Sequence, residues 1–104
     1  MARGDVVGDV LTLSASSNTD IRPADGTEWV IKAFAGDING FIYFRATDGT
    51  NTANFFEGSA AQTGQSHGGQ VTVPINYTNY LQIRNANSGS TGNTAWFGIV
   101  SKQG

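Results

Sequence analysis

The chain has 104 residues, a net charge of −2 and six Lys and Arg, so it lacks the clustered basic face that a sequence-independent hold on nucleic-acid phosphates requires. Its length sets one domain, expected over 1–104, and the absence of cysteine removes both a disulfide framework and a thiolate metal site. Hydrophobic residues at 38% suffice for a core, while fourteen glycines and only 13% charged residues point to many turns between short strands, with a surface built from Ser, Thr, Asn and Gln.

The opening MARGDVVGDV holds a broken apolar stretch unlike a signal peptide, and no run approaches the roughly 20 apolar residues that span a bilayer. Synthesis in a cytoplasm without export, and no membrane partner, are therefore expected. Residues 1–5 read as a flexible terminus. Strand-like runs rich in β-branched and aromatic residues then recur about every ten residues, each bounded by Gly, Asn, Asp or Pro. They cover 5–14, a short piece at 20–22 ending at Pro23, and 27–35 after the turn residues Asp25 and Gly26. The runs at 41–47 and 50–57 flank Asp48-Gly49, which predicts a hairpin closed by a two-residue type I′ turn. The last three runs are 69–75, 79–85 and 93–102, with Asn87-Ser88-Gly89-Ser90 as the final turn. No helical period competes, and the pattern predicts an all-β fold: a single antiparallel β-sandwich, jelly-roll-like, of seven to eight short strands.

Alternation assigns faces. Over 27–35 the odd positions Trp29, Ile31 and Ala33 are apolar, which points Trp29 and Ile31 inward. Leu81 and Ile83 share a face against Gln82 and Arg84, and Ala95, Phe97 and Ile99 share a face against Trp96, Gly98 and Val100. Trp29, Ile31, Leu81, Ile83, Phe97 and Ile99 then fill a two-sheet core. Several strands remain apolar on both faces, and with no helix to cover a second face, another copy of the chain is the natural cover. The residues left over set the candidate interface: Val30, Phe34, Phe41, Tyr43, Phe56, Tyr77, Tyr80 and Trp96. Residues 57–69, made of glycines, amides and small side chains, read as a long mobile loop.

Motif by motif, chemistry is not assembled. The one histidine, His67, sits among glycines with nothing to orient it, so neither a catalytic base nor a metal ligand is expected. Most carboxylates lie in turns, and a glycosidase pair would have to be built from Glu28 beside Trp29 and Glu57 after Phe56. Asp37-Ile38-Asn39-Gly40 lacks the Glu that completes a calcium loop and reads as a turn. Arg3-Gly4-Asp5 is a three-letter match in a frayed terminus that chance supplies, and the sequon Asn76-Tyr77-Thr78, with no signal peptide expected, is not expected to meet the glycosylating enzyme. No catalytic residue, cofactor or metal site is predicted. Trp96, Tyr77 and Tyr80, with Asn79, Gln82 and Asn85, offer the alternative of a flat aromatic platform for a glycan.

The segment Asp20-Ile21-Arg22-Pro23-Ala24-Asp25-Gly26-Thr27-Glu28-Trp29-Val30-Ile31 resembles the first half of small β-sandwich virion surface proteins of tailed phages. The end of the chain, Tyr80-Leu81-Gln82-Ile83-Arg84-Asn85 leading to Phe97-Gly98-Ile99-Val100 and Lys102, is similar to their closing strands. That resemblance implies a virion location and a head decoration (cement) or fibre-tip role. It also implies a symmetric homo-oligomer, often a trimer, bound to the major capsid protein or another virion protein. It brings no catalytic residues. A receptor- or glycan-binding module is the second function it leaves open.

Overall fold

The computed structural model describes residues 2–37, 42–57, 66–86, 89 and 91–103, with the backbone alone at 37, 55–57 and 66–70. Eight strands form: β1 (Val6–Leu13), β2 (Asn18–Ile21), β3 (Glu28–Asp37), β4 (Ile42–Thr47), β5 (Thr52–Glu57), β6 (Ser66–Ile75), β7 (Tyr80–Asn85) and β8 (Gly92–Lys102). They build two antiparallel four-stranded sheets, β1-β8-β3-β6 and β2-β7-β4-β5. The pairing is nested: β4 pairs with β5, β3 with β6, β2 with β7 and β1 with β8. The chain is thus one long hairpin rolled up, and every connection but β4–β5 crosses between sheets. This is the jelly roll, in which the wrapped hairpin buries one face of each sheet against the other.

The core fills the space between the sheets. Ile31, Ile42 and Ile83 are fully buried, with Ile21, Leu13, Ile75 and Leu81 around them. Phe34 from the first sheet stacks on Phe44 from the second, ring centroids 4.3 Å apart. Each such side chain contributes about 1.5–3 kcal/mol by leaving water. Asn85, also fully buried, donates from Nδ2 to the carbonyls of Leu13 (3.1 Å) and Ser14 (3.2 Å), while its N–H donates to Ser17 C=O. One amide thereby holds the β1–β2 connection against β7, and its burial is tolerated because its polar atoms are bonded.

Two expectations about strand faces are corrected. In β3, Ile31 faces Gly98 and Ala33 faces Phe97, so Lys32 is an extra residue in a β-bulge. The bulge shifts the alternation by one: Trp29 and Ile31 point inward before it, Phe34 after it, and Ala33 turns outward. In β8 the inward set is Trp96, Gly98 and Val100, and Phe97 and Ile99 face out, 44% and 39% exposed. Trp96 stacks on Trp29 at 5.6 Å, and Gly98 sits where a Cβ would meet the Val30 carbonyl and stand 3.0 Å from Ile31 Cα. A glycine is required at that close approach, and it fixes which face of β8 turns inward.

The β4–β5 hairpin forms as expected, but its loop is four residues, with Thr47 opposite Thr52. Among its residues only Gly49 has positive φ, +92°, so the turn is not type I′. The Asp48 carboxylate instead accepts from the N–H groups of Thr50 (2.9 Å) and Asn51 (2.7 Å), which selects a wider Asx-type turn. β6 begins at Ser66, three residues before the expected start, because His67, Gly68 and Gly69 pair with Gly36, Ala35 and Phe34 of the long β3. Backbone pairing recruited residues whose side chains carry no strand signal. The Asp37–Gly40 turn beyond Asp37, Phe41, most of the 57–69 loop, and the final turn at 87, 88 and 90 lie outside the described residues.

Candidate interaction surface

The two sheets share one core and present outward faces of opposite chemistry. In an antiparallel sheet, residues paired across strands point to the same side, so the ladders list each face row by row. On the outward face of the first sheet, one row runs Val6, Ile99, Val30, Pro74 across β1, β8, β3 and β6. The next is Gly8, Phe97, Ala33, Gln70, and the third is Val10, Ala95, Ala35, Gly68. Twelve positions thus hold no charge and one amide. Val6 and Val10 are 74% and 70% exposed. The exposed bulge residue Lys32 adds one cation to this face, its Nζ donating at 3.3 Å to Oγ1 of Thr72, which lies on β6 between Pro74 and Gln70.

The outward face of the second sheet reads Asp20, Gln82, Arg45, Asn54 in one row and Asn18, Arg84, Tyr43, Glu57 in the next. Its side chains bond to each other along the rows: Arg45 Nε donates to Gln82 Oε1 (2.9 Å), and Gln82 Nε2 donates to Asp20 Oδ1 (2.9 Å). Arg84 donates to Asn18 Oδ1 at 2.9 Å. A face whose polar groups are mutually paired and wet needs no cover.

The predicted interface residues do not come together. Phe34 and Tyr80 are buried, 4% and 7% exposed, and Trp96 is half-buried against the core, so none of the three offers itself to a partner. The bulge accounts for Phe34. Tyr80 is covered by Arg22, whose guanidinium lies 4.3 Å from its ring and 3.9 Å from that of Tyr77, with Arg22 Nε donating to Tyr77 C=O at 2.7 Å. Val30 is half-buried in the apolar rows, and half-buried Tyr43 lies on the polar face. Phe41 is outside the described residues, and Phe56 is placed by its backbone opposite Phe44. Tyr77 alone of the aromatic trio is exposed, at 45%. The platform drawn for a glycan is dispersed: Trp96 faces the interior, Tyr80 is covered and Asn85 is a core clamp.

The surface that sequence reasoning missed is Val6, Val10, Phe97 and Ile99. Its trace was legible in the Val-x-Gly-x-Val spacing of β1. Phe97 and Ile99 went unrecognised because β8 is apolar on both faces, where period two cannot choose a side. An open groove of about 280 Å³ between the β4–β5 hairpin and the β6–β7 turn contains Asp48, whose carboxylate is already engaged by its own loop. Those bonds from Asn51 and Thr50 hold the Asp48 carboxyl below its ordinary range. Glu28 and Glu57 stand in different sheets. Among the described residues no group of three His, Cys, Asp or Glu is placed to hold a metal ion.

No protein-family model matches this sequence, and no curated protein matches it. The fold is found elsewhere: the chain is similar to the crystal structure of a pentameric capsid protein isolated from metagenomic phage sequences. The superposition has a TM-score of 0.50 at 16% sequence identity and covers 93% of this chain. At this identity the likeness is one of fold. This chain spans 62% of the length of that capsid protein.

Proposed function

We propose that the chain is a virion structural protein of a phage, a self-associating jelly roll that works by binding and carries out no chemistry. The observation that carries this reading is the shared jelly-roll wrap, which extends over 93% of the chain and was found in a phage capsid protein. The exposed apolar side chains Val6, Val10, Phe97 and Ile99 on the outward face of the first sheet support it, since contiguous apolar surface of this kind marks association. Within that reading the protein is a head decoration or cement component. Many copies bridging neighbouring shell subunits stabilise the shell by mass action, with no catalytic step.

Quantitative mass spectrometry of purified particles tests the proposal. A copy number in proportion to the shell subunits is expected. A number matching a single vertex or a tail would move the protein from decoration to a fibre-tip role, and absence from particles would overturn the virion reading. A glycan array on the isolated protein is the companion measurement, in which specific sugar binding would favour a receptor-binding module instead.

A further inference from the structure

We propose that Asp25 is a site of spontaneous covalent modification, where the backbone nitrogen of Gly26 closes on the Asp25 carboxyl to a succinimide that water reopens to isoaspartate, while the identical dipeptide Asp48-Gly49 is held unreactive by its own hydrogen bonds. The Gly26 nitrogen forms a bond to Asp25 Cγ, and its proton leaves with the carboxyl hydroxyl as one water. A second water then opens the imide ring. Opening at the former main-chain carbonyl leaves the chain running through Cβ and Cγ of residue 25, and opening at Cγ restores aspartate. The neutral carboxyl is the reactive form, because its hydroxyl leaves far more readily than the oxygen of a carboxylate. A following glycine favours the reaction, since it has no Cβ to crowd the approach.

The turn at Asp25 leaves both reacting groups free. Thr27 N–H donates to Ala24 C=O at 2.9 Å and closes a β-turn, which Gly26 at φ +87° after a residue without positive φ makes type II. Its stem is anchored by buried Pro23 and Thr27, and its tip is exposed at Asp25 and Gly26. Among the described residues, neither the Asp25 carboxylate nor the Gly26 N–H has a hydrogen-bond partner. Ring closure needs rotation about the Asp25 Cα–C bond. Type II and type I turns differ by a flip of the central peptide, and glycine tolerates the φ of both, so this peptide can swing while the Ala24–Thr27 bond stays closed. The turn at Asp48 holds both groups. Asp48 Oδ1 accepts from the N–H groups of Asn51 (2.7 Å) and Thr50 (2.9 Å), Oδ2 accepts from Asn51 Nδ2 (3.3 Å), and Gly49 N–H donates to Thr47 Oγ1 (2.9 Å). The same flip there would break the Gly49–Thr47 bond, and attack would draw the carboxylate off its donors. Those donors also hold the Asp48 carboxyl below its ordinary range, which leaves less of the reactive neutral form. Isoaspartate at residue 25 lengthens by a methylene the connection that carries the chain from β2 in one sheet to β3 in the other.

The test ages the full chain at neutral pH in heavy-oxygen water and then digests it with an endoprotease that cleaves before aspartate and not before isoaspartate. Every passage through the imide writes a heavy oxygen into the residue, so mass spectrometry of the peptides reads Asp25 and Asp48 separately, and both apart from Asn39-Gly40. In the folded chain, label and lost cleavage at Asp25 are expected to lead those at Asp48 by at least about tenfold, the order set by hydrogen bonds to a charged group. In urea, where the turns are gone, the two rates are expected to converge. Asp25→Glu, whose longer side chain closes a ring far more slowly, is expected to abolish the label at that position and leave Asp48 as it was. Absence of label at Asp25, equal rates in the folded chain or a faster Asp48 would each overturn the proposal. A lead of Asp25 that persists undiminished in urea would give the difference to the neighbouring sequence and overturn selection by the fold. Label that survives Asp25→Glu would mean exchange without an imide, and overturns it as well.

Discussion

The two outward faces of this jelly roll are made by the same kind of strand around the same core, yet one is a lattice of mutually bonded polar side chains and the other gathers exposed Val6, Val10, Phe97 and Ile99, with Lys32 as its cation. On the second sheet, Arg45, Gln82 and Asp20 satisfy one another along a row, and water does the rest. On the first, Val6, Val10, Phe97 and Ile99 gain nothing from water and stand 39–74% exposed. The interior is therefore a poor guide to function in such a protein, because either face could close over it. The difference between the faces is what the proposed association rests on.

Truncating an inward residue should have the largest effect and breaks the comparison most directly. Phe34→Ala removes the ring stacked on Phe44, and an unfolding midpoint in urea is expected to register a loss of about 3–5 kcal/mol. Were Phe34 an interface residue, as alternation alone implied, the monomer would keep its stability and only the mass would change.

Asn85→Ala comes next. It leaves the carbonyls of Leu13 and Ser14 without their donor at a buried site, and a cost of about 1–3 kcal/mol is expected in the same measurement. A neutral result would mean that water replaces the amide and that the β1–β2 connection is not held from β7.

On the polar face the expected effects are small. Gln82→Ala interrupts the Arg45–Gln82–Asp20 row, and because these groups face solvent the change in stability should stay within about 0.5 kcal/mol, with no change in mass. A shift in oligomer mass on this substitution would show that both faces make contacts and would erase the contrast between them.

Acid should loosen the β4–β5 hairpin locally. The Asp48 carboxyl is held below its ordinary range by the Asn51 and Thr50 N–H groups. Its stabilising effect is therefore complete above the ordinary carboxyl range and lost as pH falls through the lowered folded value. A loss of protection at the Thr50 and Asn51 amides on acidification, measured against their intrinsic exchange rates at each pH and absent in Asp48→Ala, is the expected signature. Unchanged protection would assign the loop's order to Gly49 and the strand ladder alone.

The sequence by itself determined that the fold is all-β, that it has seven to eight strands, and where most of them start and stop. Those features are local: period-two alternation, β-branched and aromatic runs, and the glycines, asparagines and aspartates that break them. It also placed Trp29, Ile31, Leu81 and Ile83 inside, because Glu28 and Lys32 flank the first pair and Gln82 and Arg84 alternate with the second. Tertiary structure decided the rest. The bulge at Lys32 is a mismatch between β3 and its neighbours, invisible in β3 alone, and it sends Phe34 inward. Gly98 is needed because the Val30 carbonyl and Ile31 approach it, and that contact turns Trp96 in and Phe97 out of a strand that is apolar on both sides. Pairing with β3 likewise makes strand of His67, Gly68 and Gly69. A side chain's face is a relation between strands, so where a strand's own pattern is two-sided, only the strand beside it settles which side meets the core and which side is left for a partner.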